Sequence, residues 1–175
     1  LGKMLIRLSI SRGIPLINIV RKEEHISALK ALGATHVLNS TSPGFKEEFA
    51  DTARKLNATL ILDAVTGSQS AILLDAAPRG STLVAYARLS GDPLAADLRA
   101  LITEDKTIVG FQLGNWLKTK GLIFKLRFMN KVKKQLGTEL TSFISGTYPL
   151  EQAGDAVTHY KDHMSEGKIL LKIGS

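Results

Sequence analysis

A five-residue run, Leu16-Ile17-Asn18-Ile19-Val20, apolar except for Asn18, ends abruptly in two cations, Arg21 and Lys22. Helix-patterned segments flank it on both sides. Residues 3–12 carry a stripe of Met4, Leu5 and Leu8 and stop at Gly13; Ile26, Leu29 and Leu32 mark a second helix that stops at Gly33. A short apolar run between glycine-stopped helices reads as a buried parallel strand, because only a strand covered on both faces is apolar throughout. The pattern then repeats. Strands are expected at 35–38, 59–63, 81–86 and 107–111, with helices at 45–56 (Phe49 and Ala53 inward) and 70–77. Strands alternating with helices predict an α/β fold, a Rossmann-like doubly wound parallel sheet. Residues 115–136 read as one long basic helix. After them come an extended segment at 145–149, a helix carrying Leu150, Ala153, Ala156, Val157 and Tyr160, and a last strand at 168–173.

In a dinucleotide-binding βαβ unit, the residue ending the second strand lies about 20 positions past the glycine turn and faces the adenine ribose. An acid there takes the 2′-OH of NAD, whereas an Arg accommodates the 2′-phosphate of NADP. Here 19 residues separate Gly2 from Arg21. The spacing and the guanidinium predict NADP(H), with Lys22 as a secondary point charge.

Composition excludes several alternatives. There is no cysteine, which removes disulfides, thiolate metal sites and a cysteine nucleophile. The four histidines form no metal-ligand signature, and no apolar run is long enough for a membrane span. The expected location is therefore cytoplasmic. The net charge of +7 comes from one segment, 118–134, which holds Lys118, Lys120, Lys125, Arg127, Lys131, Lys133 and Lys134 and no acid. Without those seven, 16 basic residues balance 16 acidic ones. A local partner for that segment, such as coenzyme A, an acidic acyl carrier or an anionic membrane, competes with a plain solvated helix. General nucleic-acid binding is disfavoured.

The motifs taken in order resemble the medium-chain dehydrogenase/reductase superfamily, which includes zinc-type alcohol dehydrogenases, quinone reductases and 2-enoyl thioester reductases. Leu1-Gly2 resembles the end of its glycine motif. The other matching pieces are Leu32-Gly33-Ala34-Thr35-His36-Val37-Leu38-Asn39, Leu62-Asp63-Ala64-Val65-Thr66-Gly67, Ile108-Val109-Gly110-Phe111, Tyr148-Pro149-Leu150-Glu151-Gln152-Ala153 and Gly167-Lys168-Ile169-Leu170-Leu171. Asn18 to Arg21, and Phe111, Leu113 and Trp116, lean toward the NADPH-dependent 2-enoyl thioester reductases. Ser40 departs from the quinone-reductase pattern.

The resemblance implies a cofactor domain at 1–140 and a tail at 141–175 that joins the catalytic domain. Its implied cofactor-binding residues are Gly2, Arg21, Lys22, Ala64, Val65, Thr66, Gly67, Tyr86, Ala87, Phe111 and Gln112. Trp116 is a candidate wall of the substrate pocket. Asp63 either binds ribose or is satisfied by local backbone. The implied chemistry is hydride transfer to an α,β-unsaturated carbonyl, such as an enoyl thioester or a quinone, in a homodimer paired through 107–111. Catalytic groups and the first strand of the sheet are expected upstream of Leu1, so the 175-residue segment alone is expected to be inactive. Two alternatives remain: a zinc-type alcohol dehydrogenase with its ligands upstream, and a non-catalytic nucleotide-binding protein.

Overall fold

The computed structural model describes residues 1–163 and 167–174. The chain forms two compact units, Leu1–Arg127 and Phe128–Ser175. In the first, α1 (Gly2–Arg12) leads to β1 (Ile17–Val20), α2 (Glu24–Ala31), β2 (His36–Asn39), α3 (Phe45–Lys55), β3 (Leu60–Asp63), α4 (Ser68–Ala76), β4 (Thr82–Ala85), α5 (Leu98–Thr103), β5 (Thr107–Gly110) and α6 (Leu113–Lys118). Helix α7 (Leu122–Gln135) crosses the boundary between the units.

All strand pairing in this unit is parallel, as continuous apolar runs require. Strands β1 and β2 form one sheet and β3-β4-β5 another; β1 and β3 are each edge strands and share no ladder. Both sheets lean on one core. Leu38, Phe45, Phe49, Ala53, Leu73 and Ala77 are buried together, with Ile17 and Ile19 of β1 and Ile61 of β3 packed against them. Phe45 and Phe49 fall on one face of α3 by their i, i+4 spacing and stack at 6.1 Å. Gly33 is required where α2 ends. Its φ is +92°, and a Cβ there would sit 2.8 Å from Ile10 Cδ1.

Two elements differ from expectation. Residues 115–136 are not one helix. At Thr119 the hydroxyl takes the Trp116 carbonyl at 2.8 Å, α6 closes, and Gly121 precedes a fresh start at α7. Helix α5 was not foreseen; it begins where the Asp97 carboxylate accepts the Arg99 backbone N–H at 2.9 Å.

A charged network ties α3, α4 and α5 together. Asp75 of α4 receives Lys46 at 2.5 Å and Arg99 at 3.3 Å, and Arg99 also reaches Glu104. Lys106 is buried, with its ammonium on Glu104 at 2.7 Å and on the Asp75 carbonyl at 2.9 Å. The Lys46 hydrogen bond holds the Asp75 carboxyl below its ordinary value of 3.8. A depressed folded pKa stabilises above the unfolded value, and that stabilisation is lost as pH falls through the folded one. Wild type is therefore expected to lose more stability than Asp75→Asn between neutral pH and about pH 3. Urea midpoints at the two pH values measure this; parallel losses would remove Asp75 from the acid response.

In the second unit, β6 (Ile144–Pro149) runs through a 3-10 turn (Leu150–Gln152) into α8 (Ala153–Asp162) and on to β7 (Lys168–Lys172), which pairs parallel with β6. Within the 141–175 tail, residues 164–166 and 175 lie outside the described residues.

Candidate cofactor site

Asp63, Ala85 and Gly110 stand side by side at the carboxyl ends of β3, β4 and β5. The segments that leave this edge are 64–67, 86–87 and 111–112, so the fold brings most of the expected cofactor residues to one sheet edge. In open α/β sheets, ligands sit at this edge.

Asp63 organises the first of these loops. It is buried, at 6% exposure, and one carboxylate oxygen accepts the Val65 and Thr66 backbone N–H groups at 2.8 and 3.0 Å. The other oxygen accepts the Ser70 hydroxyl at 2.5 Å. Both oxygens serve the fold, as the local-satisfaction reading of Asp63 expects. Thr66 and Gly67 both have positive φ, +66° and +76°. That conformation is strained for a β-branched residue. The Thr66 hydroxyl lies within hydrogen-bond distance of the Val65 carbonyl, the Ser90 hydroxyl and the Asp92 carbonyl.

The segment 88–95 covers this loop, an arrangement the sequence did not announce. Backbone N–H groups of Leu89, Ser90 and Ala95 donate to the carbonyls of Ala64, Val65 and Gly67. The Gly67 backbone, at φ +76° and ψ −152°, is strained for any residue with a side chain, and a Cβ there would come into contact with Asp92 Cβ and Ser90 Oγ at 3.4 Å. The only local signal is the string Ser90-Gly91-Asp92-Pro93, which marks a turn but not what it packs on.

Tyr86 leaves β4 with its N–H on the Asp63 carbonyl at 3.0 Å. Burial, together with the Asp63 charge, raises its hydroxyl above the ordinary value of 10, so it stays protonated and can donate at neutral pH. Ala87 follows it on the same edge. Phe111 donates its N–H to the Ala85 carbonyl at 2.8 Å. The Gln112 side-chain oxygen caps α6 by accepting the Asn115 N–H, which occupies that oxygen within the fold. Trp116 is half-buried, tilted against Phe111 at 6.3 Å and edge-on to Phe124 at 5.6 Å, with the Lys120 ammonium 5.2 Å from its ring centroid.

The remaining candidates lie on the β1-β2 sheet. Val20 and Asn39 are register partners, and the Ser40 N–H donates to the Val20 carbonyl at 2.8 Å. Arg21 is exposed just past β1, and its guanidinium makes no ion pair among the described residues. Lys22 is paired with Glu24 at 3.3 Å. Gly2 opens α1, with nothing within 4 Å of where its Cβ would stand.

Residues 1–126 match the family described as zinc-binding dehydrogenase. The chain belongs to that family. Among curated relatives, human mitochondrial enoyl-[acyl-carrier-protein] reductase is 33% identical over 124 residues, covering 67% of this chain and 32% of the relative. The Xenopus tropicalis protein of that name is 31% identical over 126 residues, covering 68% and 35%. The chain thus spans about a third of the length of these relatives. Among solved structures, one from Mesorhizobium loti named for NADPH:quinone reductase superposes with a TM-score of 0.80 at 29% identity, covering 98% of this chain and 49% of that one. A mutant enoyl thioester reductase from Candida tropicalis gives 0.76 at 22% identity, covering 98% and 50%. These matches establish the α/β Rossmann-type architecture, with parallel strands alternating with helices.

The family's name raises the question of zinc. Among the described residues of this zinc-binding dehydrogenase chain, no group of three or more His, Asp or Glu is placed to hold a metal ion. His159 and His163 stack at 4.5 Å on α8, but the His163 Nδ1 faces the His159 carbonyl at 3.1 Å. These residues do not fit a tetrahedral zinc site, which needs three or four convergent ligands. No helix among the described residues is long and apolar enough to cross a membrane.

Proposed function

We propose that this chain is the cofactor-binding part of an NADP(H)-dependent oxidoreductase. Its reaction is hydride transfer to the β-carbon of an α,β-unsaturated carbonyl, in an enoyl thioester or quinone-like substrate. The observation that carries this reading is the Arg21 guanidinium at the carboxyl end of β1, without an ion pair among the described residues, where a dinucleotide-binding fold receives the adenosine ribose. The names of the relatives and structural neighbours point the same way. A bound dihydronicotinamide supplies the hydride; the protein supplies binding, orientation and electrostatics.

In this reading Arg21 clamps the 2′-phosphate and the N-terminus of α1, from Gly2, faces the pyrophosphate. Ala64, Val65, Thr66 and Gly67 form the ribose side of the cleft, held rigid by Asp63 below and residues 88–95 above. Tyr86 offers a neutral hydrogen-bond donor beside Ala87. Phe111 and the Gln112 backbone border the nicotinamide, and Trp116 walls the acyl side. Residues 1–140 serve the cofactor, and 141–175 serve the catalytic domain. Calorimetric titration with NADPH and NADH tests the reading; equal affinity for the two would reject it.

The same reading includes a homodimer formed through β5. This strand is the outer edge of its sheet, Val109 is 44% exposed, and Gly110 has no side chain to block an approaching strand. An open edge invites strand addition, and two-fold assembly is the commonest closed form. The N–H groups of Thr107 and Phe111 donate inward to the carbonyls of Ser81 and Ala85, so alternation turns the Gly110 N–H to the open side. Gly110→Pro deletes that outward donor and is expected to raise the dimer dissociation constant at least tenfold, as an order-of-magnitude estimate. Sedimentation equilibrium measures it; a wild-type monomer at micromolar concentration, or an unchanged dimer in the variant, would eliminate this interface.

A further inference from the structure

Residues 21–24 read Arg-Lys-Glu-Glu, two cations followed by two acids. Left to themselves, these four charges would neutralise one another and offer a phosphate little. The fold sorts them. Lys22 pairs with Glu24 at 3.3 Å. Glu23 pairs with neither cation: its carboxylate accepts the Asn39 side-chain N–H at 3.2 Å, from 16 residues away. Arg21 is left without an ion pair among the described residues.

We infer that Asn39 is a positioning residue for the phosphate end of the cofactor, diverting Glu23 so that the Arg21 guanidinium stays uncompensated. The inference rests on the assignment of Arg21 to the 2′-phosphate. Asn39 can play this part because its amide is locked. Its oxygen accepts the Thr41 backbone N–H at 3.0 Å and the Thr41 hydroxyl at 2.8 Å. A backbone N–H only donates, so the oxygen must face Thr41 and the NH2 must face Glu23. Position matters as much as orientation. Asn39 ends β2 in register with Val20, one residue before Arg21, and the Thr41 hydroxyl lies 3.4 Å from the Arg21 carbonyl. Asn39 therefore links the two strand ends that would surround the phosphate.

The test is a double-mutant cycle read by calorimetry, with 2′,5′-ADP as the probe and 5′-AMP, which lacks the 2′-phosphate, as its control. Freed from Asn39, Glu23 can turn to Arg21 in an exposed ion pair, a contact of the size that changes affinity by about two- to fivefold. Asn39→Ala is expected to weaken 2′,5′-ADP by about that factor and leave 5′-AMP unchanged. Glu23→Gln should restore 2′,5′-ADP affinity in the Asn39→Ala background and change it less in wild type. Asn39→Ser, which keeps an oxygen for Thr41, should rank with Asn39→Ala and replaces it if the alanine variant does not fold. A loss that persists in the double variant, or a Glu23→Gln effect equal in both backgrounds, overturns the inference while leaving the Arg21 reading intact. If Arg21→Ala does not weaken 2′,5′-ADP, the cofactor reading itself falls and takes the inference with it.

Discussion

Asp63→Ala is expected to lower the unfolding free energy by about 3–5 kcal/mol, an effect on the scale of a core truncation. Three donors, the Val65 and Thr66 N–H groups and the Ser70 hydroxyl, converge on this one buried carboxylate. Deleting it strands all three, and each unsatisfied buried donor costs about 1–3 kcal/mol. Asp63→Asn keeps one oxygen for the two backbone donors, and the Ser70 hydroxyl can turn to accept from the new amide, so its loss should be about half as large or less. Urea unfolding gives the ranking. If the 64–67 loop borders the cofactor as proposed, the variants should also lose nucleotide affinity, because Asp63 shapes that loop. An alanine variant as stable as wild type would show that the loop is held mainly by its cover, 88–95.

Arg21→Ala is expected to weaken NADPH by about 10- to 100-fold, the worth of a charge-assisted contact to phosphate. NADH should change by less than about twofold, since it has no 2′-phosphate for the guanidinium to reach. Lys22→Ala should do much less, because Lys22 is already paired with Glu24. The ratio of the two cofactor affinities by calorimetry is the readout, and equal losses would remove Arg21 from that role. The size of the effect also separates Arg21 from Asn39: contact with the phosphate is worth more than keeping a competitor away.

Most strands and helices of this fold were legible because their signals are local. The glycines that stop α1 and α2, and the apolar runs of β1, β3 and β4, need no knowledge of the rest of the chain. Phe49 and Ala53 were inward by periodicity alone, and both are buried. Elements bounded by a short break or a single cap were harder to read. The break at 119–121, which includes Gly121, interrupts a helix whose apolar and basic pattern continues through it. Asp97 started a six-residue helix too short to show a period. Around the site, the sequence pointed to strand ends, since topology places them on one edge. It did not point to what crosses between them. The Asp63–Ser70 bond, the cover at 88–95 and the Asn39–Glu23 contact join residues 7 to 28 positions apart, and no spacing rule connects them.

The bare edges of β1 and β3 have a consequence for how this chain behaves in a test tube. On β3, Leu60 and Leu62 are 62% and 42% exposed, beside a row of backbone groups that form no ladder on that side among the described residues. Natural edge strands are usually blunted by proline, lysine or a bulge; Ile17–Val20 and Leu60–Asp63 contain neither proline nor lysine, and their ladders are regular. Colloidal stability therefore rests on charge, and the net +7 is concentrated in 118–134, away in sequence from both edges. Added salt, which screens that repulsion over a shorter range, works against solubility here. The chain's shelf life is a property of its ionic strength as much as of its fold.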